Sequence, residues 1–244
     1  MKKLRKPALT QLLFVVILAA VFLLRGVVGP KYSSSVMDVP EFSGEPYVVI
    51  NNNEPEFTSE DLTSVAYEFY SEVDHLGRCG YAMACIGREL MPTEDRESIG
   101  HIKPSGWVQS KYDFVEGESL YNRCHLIGFQ LTGENANKNN LITGTRFLNV
   151  EGMLPFEDMV ADYIKETGNH VLYRVTPVFD GSDLVAKGVQ MEAISVEDGG
   201  EAICFNVYAY NNQPGVNIDY STGASTLAGD TQSTANTDGK IPDF

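Results

Sequence analysis

Three runs in the C-terminal half constrain this chain more than anything else in it. His170–Phe179, Leu184–Val196 and Ala202–Tyr210 are rich in β-branched and aromatic residues. They are joined by Asp180-Gly-Ser-Asp and Asp198-Gly-Gly. Such connections carry hairpin chemistry, because Gly and Asp supply the left-handed backbone that tight turns need. Consecutive hairpins make an antiparallel sheet and argue against a doubly wound parallel one. Further strands are expected at Tyr47–Ile50, ended by Asn51-Asn52-Asn53, at Tyr81–Ile86, and at Ser119–His125. Two helices are expected. Thr58 with Asp61 resembles a capping box opening a helix to about Val73, with Tyr67, Phe69 and Tyr70 in the core. Leu148–Thr167 reads as mainly helical, with Pro155 at the first turn of its second part. Gly87–Gly106 reads as a long loop with scattered charge. The fold class is therefore α+β with a mainly antiparallel sheet.

The ends differ from the middle. Lys2, Lys3, Arg5 and Lys6 precede the apolar run Ala8–Leu24, 17 residues broken only by Thr10 and Gln11. A basic segment followed by such a run is a secretion signal or a signal-anchor. No small-x-small cleavage site follows, so an uncleaved anchor over 1–31 is expected. Basic residues before it place that end in the cytoplasm and the rest outside. Residues 32–44 read as a linker, 45–220 as one domain, and 221–244, rich in Ser, Thr, Gly and Asp, as a disordered tail. Of the 244 residues, the first 31 hold six basic side chains and no acidic ones. The remaining 213 carry 12 basic against 33 acidic, a net of −21. Bulk electrostatics therefore disfavour nucleic acid and anionic membrane alike, and any polyanion chemistry must come from a local site. Cys79, Cys85, Cys124 and Cys204 are too few for a disulfide scaffold and admit three pairings. His75-x3-Cys79-x5-Cys85 has the look of half a zinc site, but no second half follows.

Chemistry concentrates in Tyr121-Asn-Arg-Cys-His125 and the run through Thr145-Arg-Phe-Leu-Asn149. This is a strand–strand–helix unit that sets an imidazole on one arm opposite an amide oxygen on the other. A neutral imidazole can take a proton from water near pH 7. An amide oxygen suits Mg²⁺, which keeps most of its waters. Arg123 adds a phosphate donor.

The segment resembles the active-site unit of the DNA/RNA non-specific endonucleases, a ββα-metal (His-Me finger) family. Their signature is Asp-Arg-Gly-His on a strand followed by Asn on the crossing helix. Asn122-Arg123-Cys124-His125 occupies that signature, with Asn149 at the metal position and Glu157 eight residues later. Leu131–Asn149 also resembles the membrane-anchored DNA-uptake nucleases of Gram-positive bacteria. The resemblance implies an extracytoplasmic, Mg²⁺-dependent endonuclease (with Mn²⁺ as a substitute) acting on DNA, with RNA left open, and using no small-molecule cofactor. It implies His125 as general base, Asn149 as metal ligand, Glu157 ordering water around the metal, and Arg123 with Arg146 on the phosphate. Two positions depart from the signature. Asn122 replaces Asp and lacks its charge, and Cys124 replaces Gly and adds bulk. The rival from another class is a catalytically silent DNA-capture protein on the same fold, since fold does not fix function.

Overall fold

A computed structural model describes residues 39–229. The expected anchor over 1–31 and residues 230–244 lie outside the described residues. Among the described residues, no helix is long and apolar enough to cross a membrane.

The strands are β1 (Tyr47–Val49), β2 (Tyr67–Tyr70), β3 (Ala82–Ile86), β4 (Tyr121–His125), β5 (Leu141–Thr145), β6 (Val171–Val178), β7 (Gly188–Ser195), β8 (Cys204–Tyr210), β9 (Val216–Ile218) and β10 (Ser225–Leu227). Six of them form one sheet in the order β1-β8-β7-β6-β3-β2, with every pairing antiparallel. The β6–β7–β8 meander at its centre is the run of hairpins expected from the sequence. One face of that sheet packs under α2 (Leu154–Thr167). Val160, Ala161 and Ile164 of the helix are buried in one cluster with Tyr173, Val175, Met191, Ala193 and Val207 of the strands. Gly168 closes the helix in the left-handed conformation, its N–H bonding to the Ile164 carbonyl, as helix ends favour.

A separate two-stranded ribbon, β4–β5, carries the signature segment. It shares no ladder with the large sheet and is docked by buried amides. Asn211 accepts from the Thr145 N–H at 2.8 Å and donates to the carbonyls of Thr143 and Ala186 at 3.0 and 2.9 Å. Asn140 holds both the N–H and the carbonyl of Ile127 at 2.9 and 3.0 Å, fixing the chain where it leaves β4. Buried side-chain amides repay their desolvation only when satisfied in this way.

Two expectations are corrected. The helix from Thr58 to Val73 does not form. Thr58 does bond Asp61 through both its N–H and its hydroxyl, each at 2.8 Å. That local turn is not propagated, and Tyr67–Tyr70 instead pairs with the free edge of β3. A single capped turn gains too little to nucleate a helix when aromatic residues can join a sheet. Phe69 is consequently exposed and stacks on Tyr81 at 5.2 Å rather than entering the core. Residues 221–229 are not a featureless tail, since Ser225–Leu227 pairs with β9 and the Gly223 carbonyl accepts from the Tyr121 hydroxyl at 3.0 Å. Leu148–Thr167 is helical in two parts, as expected: Leu148–Met153 is a π-helical turn leading into α2, with Pro155 in the first turn of α2. All four cysteines are free thiols, three buried and Cys204 exposed.

Candidate active site

The ribbon, the π-helical turn and the start of α2 enclose a polar cleft of about 570 Å³. All five residues singled out from the sequence, Arg123, His125, Arg146, Asn149 and Glu157, line it.

His125 ends β4 and is buried. Its Nε2 lies 2.8 Å from the backbone carbonyl of Asn135. A carbonyl can only accept, so Nε2 carries the proton and Nδ1 carries the lone pair. Burial lowers the imidazole pKa to about 4, with the Asn135 carbonyl opposing that shift and the positive charge of Arg96 adding to it. The ring is thus neutral at pH 7 and its free nitrogen is a base. Arg96 Nη2 stands 3.3 Å from that nitrogen. Arg96 belongs to the Gly87–Gly106 loop, and nothing in the sequence reading pointed to it. The signal available was modest: it is the lone basic side chain in Glu94-Asp95-Arg96-Glu97.

Asn149 sits in the π-helical turn, and π-bulges recur at functional sites because they aim a side chain out of helical register. Its Oδ1 accepts from the Cys124 thiol at 3.2 Å. Cys124 is fully buried, also touches Met153 Sδ at 3.4 Å, and keeps its proton because burial raises the thiol pKa. It fits because the neighbouring strand has Gly144 there: a Cβ on Gly144 would lie 2.6 Å from the Cys124 Cβ. Glu157 is buried one turn into α2. Burial lifts its carboxyl pKa to about 8, Asp158 adds to the shift, and the Gly128 N–H that bonds it pulls the other way. Gly128 lets the carboxyl approach its backbone, since a Cβ there would meet a Glu157 oxygen at 2.6 Å and push it away.

Arg123 lines the cleft and has partners that its sequence context did not suggest. Its guanidinium donates to the carbonyls of Ile102 and Gly100 and lies over the Trp107 ring at 4.3 Å. Those bonds tie the loop that carries Arg96 to the ribbon, so part of its function is to hold that loop. Arg146 is steadied by Glu116 at 3.1 Å. With Glu157 protonated at neutral pH, the cleft holds three guanidinium groups, those of Arg96, Arg123 and Arg146, in a chain whose net charge is −15.

No group of three or more His, Cys, Asp or Glu side chains able to hold a metal occurs among the described residues. The cleft suits a hard cation that keeps its waters: it offers one amide oxygen, Asn149 Oδ1, and one carboxyl, Glu157, whose raised pKa marks a buried acid lacking a positive partner.

The sequence profile of the DNA/RNA non-specific endonucleases matches residues 59–197, more than half of the chain. The chain belongs to the DNA/RNA non-specific endonuclease family. Its structure is similar to NucA from Streptococcus agalactiae with a magnesium ion bound, at a TM-score of 0.68 and 27% identity, over 79% of this chain and 92% of that one. It is also similar to the Sda1 nuclease with a bound zinc ion, at a TM-score of 0.65 and 27% identity, over 75% and 97% of the two chains. A deoxyribonuclease from Streptococcus dysgalactiae subsp. equisimilis is 35% identical over 109 residues, 43% of this chain. That match spans only 32% of the deoxyribonuclease's length. The mixed α and β architecture with its mainly antiparallel sheet is the one expected for the endonuclease family.

Proposed function

We propose that the chain is an extracytoplasmic, divalent-metal-dependent endonuclease that hydrolyses phosphodiester bonds in DNA, with RNA as a second candidate substrate. The single observation carrying this reading is the fixed tautomer of His125, whose proton-bearing nitrogen is engaged by the Asn135 carbonyl while the other faces a cleft lined by arginines. Nδ1 takes a proton from water. The water oxygen bonds to phosphorus as the bond to the 3′ oxygen breaks, and solvent protonates the departing oxygen. The products carry 5′-phosphate and 3′-hydroxyl ends. Arg96 covers Nδ1 in the free protein, and an incoming phosphate offers its guanidinium a stronger, charged acceptor. Arg96 thereby leaves the base and holds the phosphate. A divalent cation on Asn149 Oδ1, with Glu157 ordering water beside it, would stabilise negative charge developing on the phosphate. Mg²⁺ is favoured by the hard oxygen donors. We place the chain at the membrane through residues 1–31, on the basis of the basic residues and apolar run there.

The test is plasmid degradation by the purified chain with Mg²⁺, Mn²⁺ or Zn²⁺, with and without EDTA. Cutting should require a divalent ion, and His125→Ala should lower the rate by about 10²–10⁴-fold or more with secondary structure intact. Absence of cutting under every ion would leave a DNA-capture protein as the better reading.

A further inference from the structure

Cys124 stands where the family signature has Gly, and its thiol reaches the amide proposed to hold the cation. Sγ lies 3.2 Å from Asn149 Oδ1, 3.4 Å from Met153 Sδ and 3.8 Å from the His125 carbonyl. The amide oxygen is the nearest of the three and a far better acceptor than a thioether, so the thiol proton goes there. Among the described residues, the thiol is also the one hydrogen-bond partner of the Asn149 side chain. That donor is itself fixed. Cys124 is buried in the main core with Leu148 and Met153, which stand at the two ends of the π-helical turn carrying Asn149. Room for its sulfur comes from Gly144, where a Cβ would lie 3.2 Å from Sγ. His125 is the next residue along β4, so the strand that carries the base also grips the ligand.

We infer that Cys124 is a positioning residue for the cation: its S–H pins Asn149 Oδ1 through one lone pair and leaves the other for the metal. The inference rests on the proposed metal-dependent reading and names what holds that ligand. An amide has two unlike ends of nearly equal size. Turned over, Asn149 would offer N–H groups, which repel a cation, and the thiol is what distinguishes the two orientations. An oxygen already held in place also gives up less freedom when the cation arrives. Groups that orient a metal ligand from behind are worth about 10–100-fold in affinity. A thiol is a weak donor, so the lower figure, about tenfold, is expected here. Gly at this position offers no donor, and the departure from the signature supplies a support that the signature residue cannot.

The test is Mn²⁺ binding by the full chain without DNA, with free Mn²⁺ read from its electron paramagnetic resonance signal and melting temperatures taken in EDTA. Asn149→Ala should weaken the site. Cys124→Ala should weaken it about tenfold, and Cys124→Ser, which keeps a donor, should recover most of that loss. The double variant Cys124→Ala with Asn149→Ala should bind no more weakly than Asn149→Ala alone, because the thiol acts only through the amide. Unchanged binding by Cys124→Ala, with Asn149→Ala weakened, would overturn this inference and leave the metal reading standing. Tighter binding would do the same, since the thiol would then compete with the cation for the oxygen. Losses that add in the double variant, or Cys124→Ser binding no better than Cys124→Ala, would also overturn it, because the effect would then be one of packing. No wild-type binding, or binding unchanged in Asn149→Ala, would sink the metal reading and this inference with it.

Discussion

His125 shows how burial and two neighbours set a base. With its pKa lowered to about 4, the imidazole is in its active, neutral form above that value and loses it as pH falls through it. The acid limb of the cleavage rate should therefore lie well below the ordinary imidazole value of 6.5. Arg96→Ala removes a charge that opposes protonation, so it should move that limb to higher pH while lowering the rate. Initial rates between pH 4 and 8 at saturating Mn²⁺ would check both; an acid limb at 6.5 in the wild type contradicts the assignment. Asn149→Ala should shift the divalent-ion titration to higher concentration, and high Mg²⁺ or Mn²⁺ should recover part of the rate. One oxygen ligand is a small fraction of a shell made mostly of water. An unshifted titration would remove Asn149 from the metal's ligands. At this scale the sequence pointed to residues that line one cleft, because His125, Asn149, Glu157 and Arg146 come from one contiguous segment with recognisable spacing. Arg96 was not legible. It reaches the site across a long loop, and loop closure leaves no periodic trace in a sequence.

Among the elements, five of the six strands of the main sheet were readable from their β-branched and aromatic runs and turn residues, β2 being the exception, and the misreadings were all local signals overruled by distant partners. The Thr58–Asp61 turn was outcompeted by the open edge of β3, and Ser225–Leu227 looked like a polar tail because its partner strand is short and half-exposed. The π-helical turn has no sequence signature, yet it decides where Asn149 points relative to α2. The ribbon carries its own constraint. Cys124 on β4 and its diagonal neighbour Gly144 on β5 fit only as a pair, with the thiol bonded to Asn149 and no side chain on Gly144 to meet it. Gly144→Ala should destabilise the chain by about 1–3 kcal/mol through overpacking. Adding Cys124→Gly should recover much of that loss, because the clashing atoms are gone. Urea denaturation of the two single variants and the double variant would measure the coupling, and strictly additive losses would show that the contact is not the cause.

Across the whole molecule, the meander and α2 form a scaffold, and the ribbon shares their core through Cys124 and Ile142 and is tied to them by Asn211. The polarity of the cleft runs against that of everything around it. Three arginines, of which Arg146 is paired with Glu116, and a protonated Glu157 make a small hollow more positive than its surroundings in a chain of net charge −15. Far from the protein, DNA meets the net charge; at contact, it meets the hollow. At about 0.15 M salt the field of the whole reaches only about 8 Å, so added salt screens the distant repulsion before it weakens the grip inside. The encounter rate with DNA should thus rise with ionic strength over the low-salt range, opposite to the steering seen where net charge and substrate attract. Stopped-flow association of an oligonucleotide in EDTA from about 10 to 150 mM salt, a range over which the screening length shortens from about 30 to 8 Å, would test this; a rate that only falls would refute it. On the proposed reading, a nuclease built this way is slow to be captured by any polyanion it drifts past, its own substrate included, and salt quickens that capture.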